Sequence, residues 1–247
     1  MQLVSCHQGK LLKVDSTDLG AASPGRSFST GLLAVDRLLP AGVWGRGVIH
    51  EILWAGKYAR PLFFATWLAR AAMGEPARGG CVVWCDPRGE IYPPALGAAG
   101  IALDRLFLLR PKSAEEEIWA LGECLGCKGV AATLAQPPVL SRIAARRLQL
   151  AAEHGGGVGL LLRPQGAGAV HHAAATRWLV EPARGERTVQ RWRIQLIHGH
   201  GGRLHEPVYL ESSRDPHTPQ AHRLRALPQL AHRPATPKAT PTRRATA

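Results

Sequence analysis

Long apolar runs are missing from this 247-residue chain. No stretch reaches the roughly 18 residues that a membrane-spanning helix needs, so no span is expected. The N-terminus has no basic segment leading into an apolar one, and no secretory leader is read there. Cysteine is sparse: five residues, an odd number without framework spacing. That excludes a disulfide-stapled module and makes a reducing cytoplasm the expected compartment. Acidic side chains are scarce too, 18 Asp and Glu against 31 Lys and Arg, for a formal net charge of +13. An excess of this size points to an anionic partner, most simply nucleic acid. A high-GC genome favouring arginine is the plainer alternative. Hydrophobic residues make up 45% of the chain, enough for one sizeable α/β domain with extensions.

The charge is uneven. From Ser212 onward seven basic residues (Arg214, Arg223, Arg225, Arg233, Lys238, Arg243, Arg244) face one acidic residue, Asp215. Nearly half the excess thus lies in the last 36 residues, 212–247. That segment is rich in Pro, Thr, Ala and Arg and lacks aromatics. It offers too little apolar area to offset its conformational entropy, so it is predicted to be a disordered tail. Within it, Gln220–Ala231 carries Leu224, Leu227 and Leu230 at i, i+3 spacing. A short motif that folds on a partner and an accidental low-complexity pattern both fit. At the other end, residues 1–27 read as a polar extension with a short helix or strand, then a linker.

Between these ends, strand-like and helix-like blocks alternate. Val48–Trp54, Cys81–Cys85, Leu106–Leu109, Val130–Ala135 and Val158–Leu162 are short apolar strands. Pro61–Met73, Pro94–Gly100, Ala114–Leu125 and Ser141–His154 are helices between them. Asp36–Leu39 has helical spacing before Pro40 stops it. Ser141 is a suitable N-cap, Glu115, Glu116 and Glu117 suit a helix start, and Gly155-Gly156-Gly157 ends the last helix. Apolar strands separated by helices predict βαβ units and a mostly parallel sheet flanked by helices. After Arg163-Pro164 the pattern changes. Arg177–Glu181, Val189–His198 and Val208–Glu211 follow without helices, predicting an antiparallel extension, with a hairpin at Arg184-Gly185-Glu186.

The stretch Phe28–Trp54 organises the rest. It holds Ser29-Thr30-Gly31, then Asp36, a turn at Gly42, Gly45 and Gly47, and a strand carrying Glu51-Ile52. This resembles the segment leading into the nucleotide-binding strand of RecA-type recombinases, where a phosphate loop follows. The fold implied is a RecA-like domain over 28–211. A working phosphate loop needs G-x-x-x-x-G-K-[ST], with backbone amides around the phosphates, a lysine on their oxygens and a hydroxyl on Mg²⁺. In the family register the first glycine position is Trp54, the second Ala59, the lysine Arg60 and the hydroxyl Pro61. Trp54 blocks close approach and Pro61 removes an amide and the metal ligand. The Gly56-Lys57 pair falls early and is followed by Tyr58. After the Cys81–Cys85 strand, such ATPases carry Asp-x-Glu; here Asp86 remains, Arg88 takes the glutamate position, and Glu90 lies two residues off. The Val130–Ala135 strand lacks the aspartate linked to magnesium.

With the loop altered, the chain most resembles a degenerate branch, the ImuA-type, translesion-synthesis-associated RecA-like proteins. What the resemblance implies is a non-catalytic accessory role in the DNA damage response, without a cofactor. The implied partners are an accessory protein similar to Y-family polymerases, an error-prone replicative-type polymerase subunit, a recombinase, and DNA. Two rival readings are an active RecA-like DNA-dependent ATPase and an SOS cell-division inhibitor. Residual anion binding at Lys57 or Arg60 is left open.

Other candidates are weaker. Cys81 and Cys85 lie about 13 Å apart along a strand and cannot share a metal. Cys124-x-x-Cys127 lacks a second pair, so core cysteines are expected. His171, His172, His198 and His200 lie in or beside loops without further ligands. Arg142, Arg146 and Arg147 form a basic strip on one helix, either a solvated face or a contact for phosphate or an acidic partner. In the RecA-like fold the loops Gln136–Leu140 and Gln165–Ala175 would face DNA, yet neither is basic or aromatic.

Overall fold

The computed structural model describes residues 3–7, 10–14, 27–39, 41–55, 60–74, 80–137, 140–166, 174–184, 189–199, 206–214 and 222–227. In chain order the elements are strands β1 (Leu3–His7), β2 (Lys10–Val14) and β3 (Ser27–Phe28), helix α1 (Leu33–Asp36), then β4 (Trp44–Gly45) and β5 (Val48–Trp54). Next come α2 (Leu62–Met73), β6 (Cys81–Cys85), α3 (Pro93–Ala98), β7 (Leu106–Leu109), α4 (Ala114–Gly126) and β8 (Val130–Ala135). The chain continues through α5 (Arg142–Gly155), β9 (Val158–Pro164), β10 (Thr176–Ala183), β11 (Gln190–Gly199), β12 (Val208–Arg214) and β13 (His222–Ala226).

Nine strands form one sheet in the order β13-β12-β11-β10-β5-β9-β8-β6-β7. The six from β10 to β7 run parallel, and β11, β12 and β13 continue antiparallel from β10. This is the expected α/β architecture with its antiparallel extension. The parallel strands are apolar on both faces because both are covered. On one face Phe64 and Leu68 of α2 pack with Ile52, Trp84, Leu134 and Leu160. On the other, Leu121 of α4 and Leu148 of α5 pack with Ile49, Val83, Cys85 and Leu161. Ser141 caps α5 by accepting from the Ala144 amide, as its position predicted. Gly156 ends α5 at φ 77°, a left-handed position that suits glycine. Gly155 sits so close to α4 that an added Cβ would lie 2.0 Å from the Leu125 carbonyl oxygen.

The Ser-Thr-Gly and Asp of the opening motif are brought together by Asp36. Its buried carboxylate accepts from Ser29 Oγ at 2.6 Å, Thr30 Oγ1 at 2.6 Å, the Thr30 amide at 3.2 Å and Trp44 Nε1 at 3.0 Å. Trp44 in turn stacks on Trp178 of β10, ring centroids 4.6 Å apart, and meets His50 edge-on at 5.0 Å. His50 is fully buried. Its Nε2 faces the Gly45 carbonyl at 3.2 Å and its Nδ1 faces Thr176 Oγ1 at 2.6 Å. A neutral ring satisfies both contacts: Nε2–H donates to the carbonyl, and the Thr176 hydroxyl donates to Nδ1 while accepting from Trp178 Nε1 at 2.8 Å. Burial pushes the His50 pKa down to about 4, against the partial support of the Gly45 carbonyl.

Three differences from expectation have physical causes. Helix α1 comes earlier than the predicted Asp36–Leu39 stretch, because Asp36 is engaged with the residues before it. Residues 3–14 hold an antiparallel hairpin of β1 and β2 within the segment read as an extension. The tail boundary at Glu211 falls inside β12, and His222–Ala226 pairs with β12 as the edge strand β13. Leu224 alternates with exposed Arg225 there, a period of two in place of the helical spacing read from the leucines. Pairing partners supplied by β12 outweigh the weak local preference of this stretch. Among the described residues no helix is long and apolar enough to cross a membrane.

Truncation after Glu211 is therefore expected to lower the melting midpoint, since it removes β13 and bares the β12 edge; a thermal melt against the full chain checks this. A second outcome concerns acid. The fold holds His50 neutral while the unfolded chain protonates near pH 6.5, so stability is full above 6.5 and falls as pH drops toward about 4. The wild type is expected to lose about 3 kcal/mol more than His50→Gln between pH 7 and pH 4, measured by urea denaturation.

Candidate functional site: the rebuilt nucleotide position

The C-terminal ends of β5, β6, β8 and β9 surround a cavity of about 400 Å³. Ligands of open parallel sheets bind at such strand ends. The lining includes Trp54 from the end of β5, Asp86, Pro87 and Arg88 after β6, Gln136 and Pro137 after β8, and Leu162 and Pro164 of β9. Arg60 and Glu117 complete it from the approach to α2 and from α4. The structure thus gathers Trp54, Arg60 and Asp86, three of the predicted positions. Gly56 and Lys57 lie outside the described residues.

The start of α2 differs from a phosphate-binding helix start. Pro61 stands at its N-cap and has no amide hydrogen. The Leu62 amide is spent on the Arg60 carbonyl at 2.9 Å, and the Phe64 amide reaches the Pro61 carbonyl at 3.1 Å. A helix N-terminus binds anions only through amides left free to point outward. Trp54 meanwhile occupies the floor with an indole that is 9% exposed.

Two arginines share one carboxylate here. Arg60 forms an ion pair with Glu90. Arg88 Nε lies 3.2 Å from the other oxygen of the same carboxylate. Gln136 Oε1 accepts from Arg88 at 3.3 Å and lies 3.5 Å from Arg60. The hydrogen bond from Arg60, with the charge of Arg88, holds the Glu90 carboxyl below the usual range. Both arginines thus pair with an exposed carboxylate of the chain itself, at positions where an ATPase would present lysine and glutamate to its substrate. Asp86 is occupied as well: its buried carboxylate accepts from the Glu90 amide at 3.0 Å and the Ile91 amide at 2.9 Å. It organises the turn after β6. Deeper in, Glu117 is 4% exposed and its Oε1 has no hydrogen-bond partner. Burial raises its pKa, opposed by Arg88.

Glu51, from the Glu-Ile pair of the strand, does not reach the cavity mouth. It is buried in an ion triad, 3.1 Å from Arg163 Nη1 and 2.7 Å from Arg177 Nε, which ties β5 to β9 and β10. Cys81, Cys85, Cys124 and Cys127 are free and buried in the core under α4, the position read for them. Burial drives the Cys81 and Cys124 thiols up to about 12, far from a reactive thiolate.

Among the described residues, the predicted DNA or partner positions lie on two elements. Arg142, Arg146 and Arg147 share the exposed side of α5. Arg225 lies exposed on β13 at the sheet edge, beyond β11 and β12 from the parallel region. His171, His172, Arg233, Lys238, Arg243 and Arg244 lie outside the described residues, as does the side chain of Arg223. Sequence reasoning missed two participants. Glu90 looked two residues out of place, yet a turn closed by Asp86 folds it back onto both arginines. Gln136 carried no signal, because an amide at a strand end has no spacing to recognise.

A six-stranded parallel array flanked by helices and continued by antiparallel strands, with α2 following β5, defines a RecA-like protein. Its similarity to Protein RecA of Limosilactobacillus reuteri (strain DSM 20016), 33% identical over 111 residues, agrees; that match covers 44% of this chain and 28% of the relative. The chain belongs to the ImuA family. It is 32% identical over 234 residues to Protein ImuA of Caulobacter vibrioides (strain NA1000 / CB15N), covering 87% of this chain and 94% of the relative. The same values hold for Protein ImuA of strain ATCC 19089 / CIP 103742 / CB 15. No general family profile matches the chain.

These contacts separate a structural aspartate from a surface arginine. Asp86→Ala is expected to cost about 1–3 kcal/mol by leaving two backbone amides without an acceptor. Arg88→Ala should leave the unfolding midpoint within experimental error. Chemical denaturation of both variants checks the contrast.

Proposed function

We propose that the protein is a non-catalytic RecA-like accessory factor in DNA-damage-induced mutagenesis, acting in the cytoplasm by binding. The partners in this reading are an accessory protein similar to Y-family polymerases, an error-prone replicative-type polymerase subunit, the recombinase and DNA. A RecA-shaped body would dock to these proteins, and the basic residues at 212–247 would add non-specific phosphate contacts.

The observation that carries the reading is the filled phosphate position. Pro61 has no amide hydrogen, the Leu62 amide is taken, and Arg60 and Arg88 both pair with Glu90. Hydrolysis needs free amides, a cation on the β/γ oxygens, a metal-holding hydroxyl and a carboxylate that orients water. The described geometry favours none of these. Kinship with the ImuA family supports the biological setting.

Purified protein is expected to release no phosphate from ATP above background, with or without single-stranded DNA. DNA-stimulated hydrolysis would restore the ATPase reading. In cells, deletion of the gene should abolish damage-induced mutation, and Arg60→Ala/Arg88→Ala should restore it as well as wild type does. Failure of that variant, if it is stably folded, would show that the cavity performs a necessary step.

A further inference from the structure

Helix α5 is amphipathic twice over. Ala144, Ala145, Leu148 and Ala152 face the sheet and are buried. On the opposite side Ile143 is 68% exposed and Leu150 is 47% exposed. They are seven residues apart, two turns or about 10.5 Å, on one stripe. Arg146 and Arg147 lie between them and Arg142 precedes them, all exposed. Helix α4 runs beside α5: a Cβ added at its Gly122 would lie 3.9 Å from Leu148 Cδ2. Trp119 of α4 is 61% exposed. An aliphatic pair at heptad spacing beside arginines matches the centre of a protein interface, whereas Trp119 sits among exposed Glu115, Glu116 and Glu123.

Charge decides the occupant. Along the α5 stripe three arginines face one acid, Glu153. Among the described residues Arg142 and Arg147 form no ion pair, and Arg146 contacts only the neutral Gln149 at 2.9 Å. A second copy packed antiparallel about a two-fold axis would seat Ile143 against Leu150 but place Arg146 and Arg147 of both chains at the axis. Nucleic acid would leave Ile143 and Leu150, the apolar centre of the stripe, uncovered. A helix with carboxylates flanking an apolar stripe, laid along α5, meets neither obstacle.

We propose that the α5 surface centred on Ile143 and Leu150 is a docking site for an acidic amphipathic helix of a partner protein. Its apolar residues cover Ile143 and Leu150, and its flanking carboxylates pair with Arg142, Arg146 and Arg147. This site lies on the helical layer, away from the rebuilt nucleotide position, so it stands or falls separately from the functional reading above.

The test uses the full chain and a fluorescein-labelled helical peptide with leucines at i, i+3 and i+7, flanked by glutamates. A lysine-flanked version and a labelled oligo-dT serve as comparison probes. Fluorescence anisotropy is expected to show saturable binding of the acidic peptide alone. Ile143→Ser and Leu150→Ser, both solvent-exposed sites, should each weaken it by about tenfold, as for one buried aliphatic side chain. Arg146→Glu/Arg147→Glu should exchange preference toward the lysine-flanked peptide, which a change in fold would not do. Unaltered melting midpoints keep these variants interpretable. Absence of peptide binding, or binding indifferent to all variants, overturns the proposal. Loss of oligo-dT binding in the same variants, without peptide binding, would make the face a nucleic-acid surface. A dimer in sedimentation that Ile143→Ser dissolves would assign it to a second copy.

Discussion

The buried carboxylate of Asp36 is the contact on which the rest of the fold depends. Four donors converge on it, from Ser29, Thr30 and Trp44. A buried charge is tolerated only when it is fully hydrogen-bonded, and a carboxylate offers enough lone pairs for all four. Trp44, fixed from one end, presents its ring to Trp178, Phe64 and His50. Through it the segment before the sheet is locked to α2, to β5 and to β10. The Ser-Thr-Gly and Asp signature of RecA-type chains is thus explained here by packing. It persists in a chain whose residues at the family's phosphate positions differ, because its task is to close the core.

The replaced contacts form a consistent set. A tryptophan where a phosphate needs glycine, a proline at the helix start and an arginine where a carboxylate would orient water could each be compensated singly. Together they build a different structure: two arginines joined through one glutamate, with a glutamine bridging them. The parallel sheet itself is unaffected, since its stability comes from Ile52, Leu134, Leu160 and their neighbours on both faces. The core and the polar cluster reside in different atoms, so substitutions in the second leave the first intact.

The positive charge divides in a similar way. Part of it is internal: Arg163 and Arg177 flank Glu51, Arg191 lies 2.7 Å from Glu211, and Arg193 lies 2.6 Å from Glu181. These arginines knit neighbouring strands and add little to the outward field. The strip on α5 differs, with exposed guanidinium groups flanking exposed aliphatic side chains. A net charge counted from composition treats both kinds alike, whereas only the second is available to a partner.

The strands β5, β6, β7 and β8 lie within the bounds that their apolar runs predicted, and α5 begins at its serine cap. Such features are local: a run of Val, Ile and Leu between turns, or a hydroxyl before a helix, meets its reason within a few residues. The damage to the phosphate loop was equally legible, because Pro61 lacks an amide hydrogen in any fold. Other features depended on what lay across space. His222–Ala226 became a strand because β12 offered an edge, and Glu90 became the partner of Arg60, 30 residues away, because the turn at Asp86 aimed it there. Ile143 and Leu150 were indistinguishable from core residues until the opposite face of α5 was seen to pack on the sheet. The sequence by itself determined the order of elements and which residue types stand at the family's phosphate-binding positions, since both follow from backbone chemistry and short-range pattern. Which charges neutralise one another, and which apolar side chains stay uncovered, was decided by tertiary structure, because burial and pairing are properties of neighbours that the chain brings together only on folding.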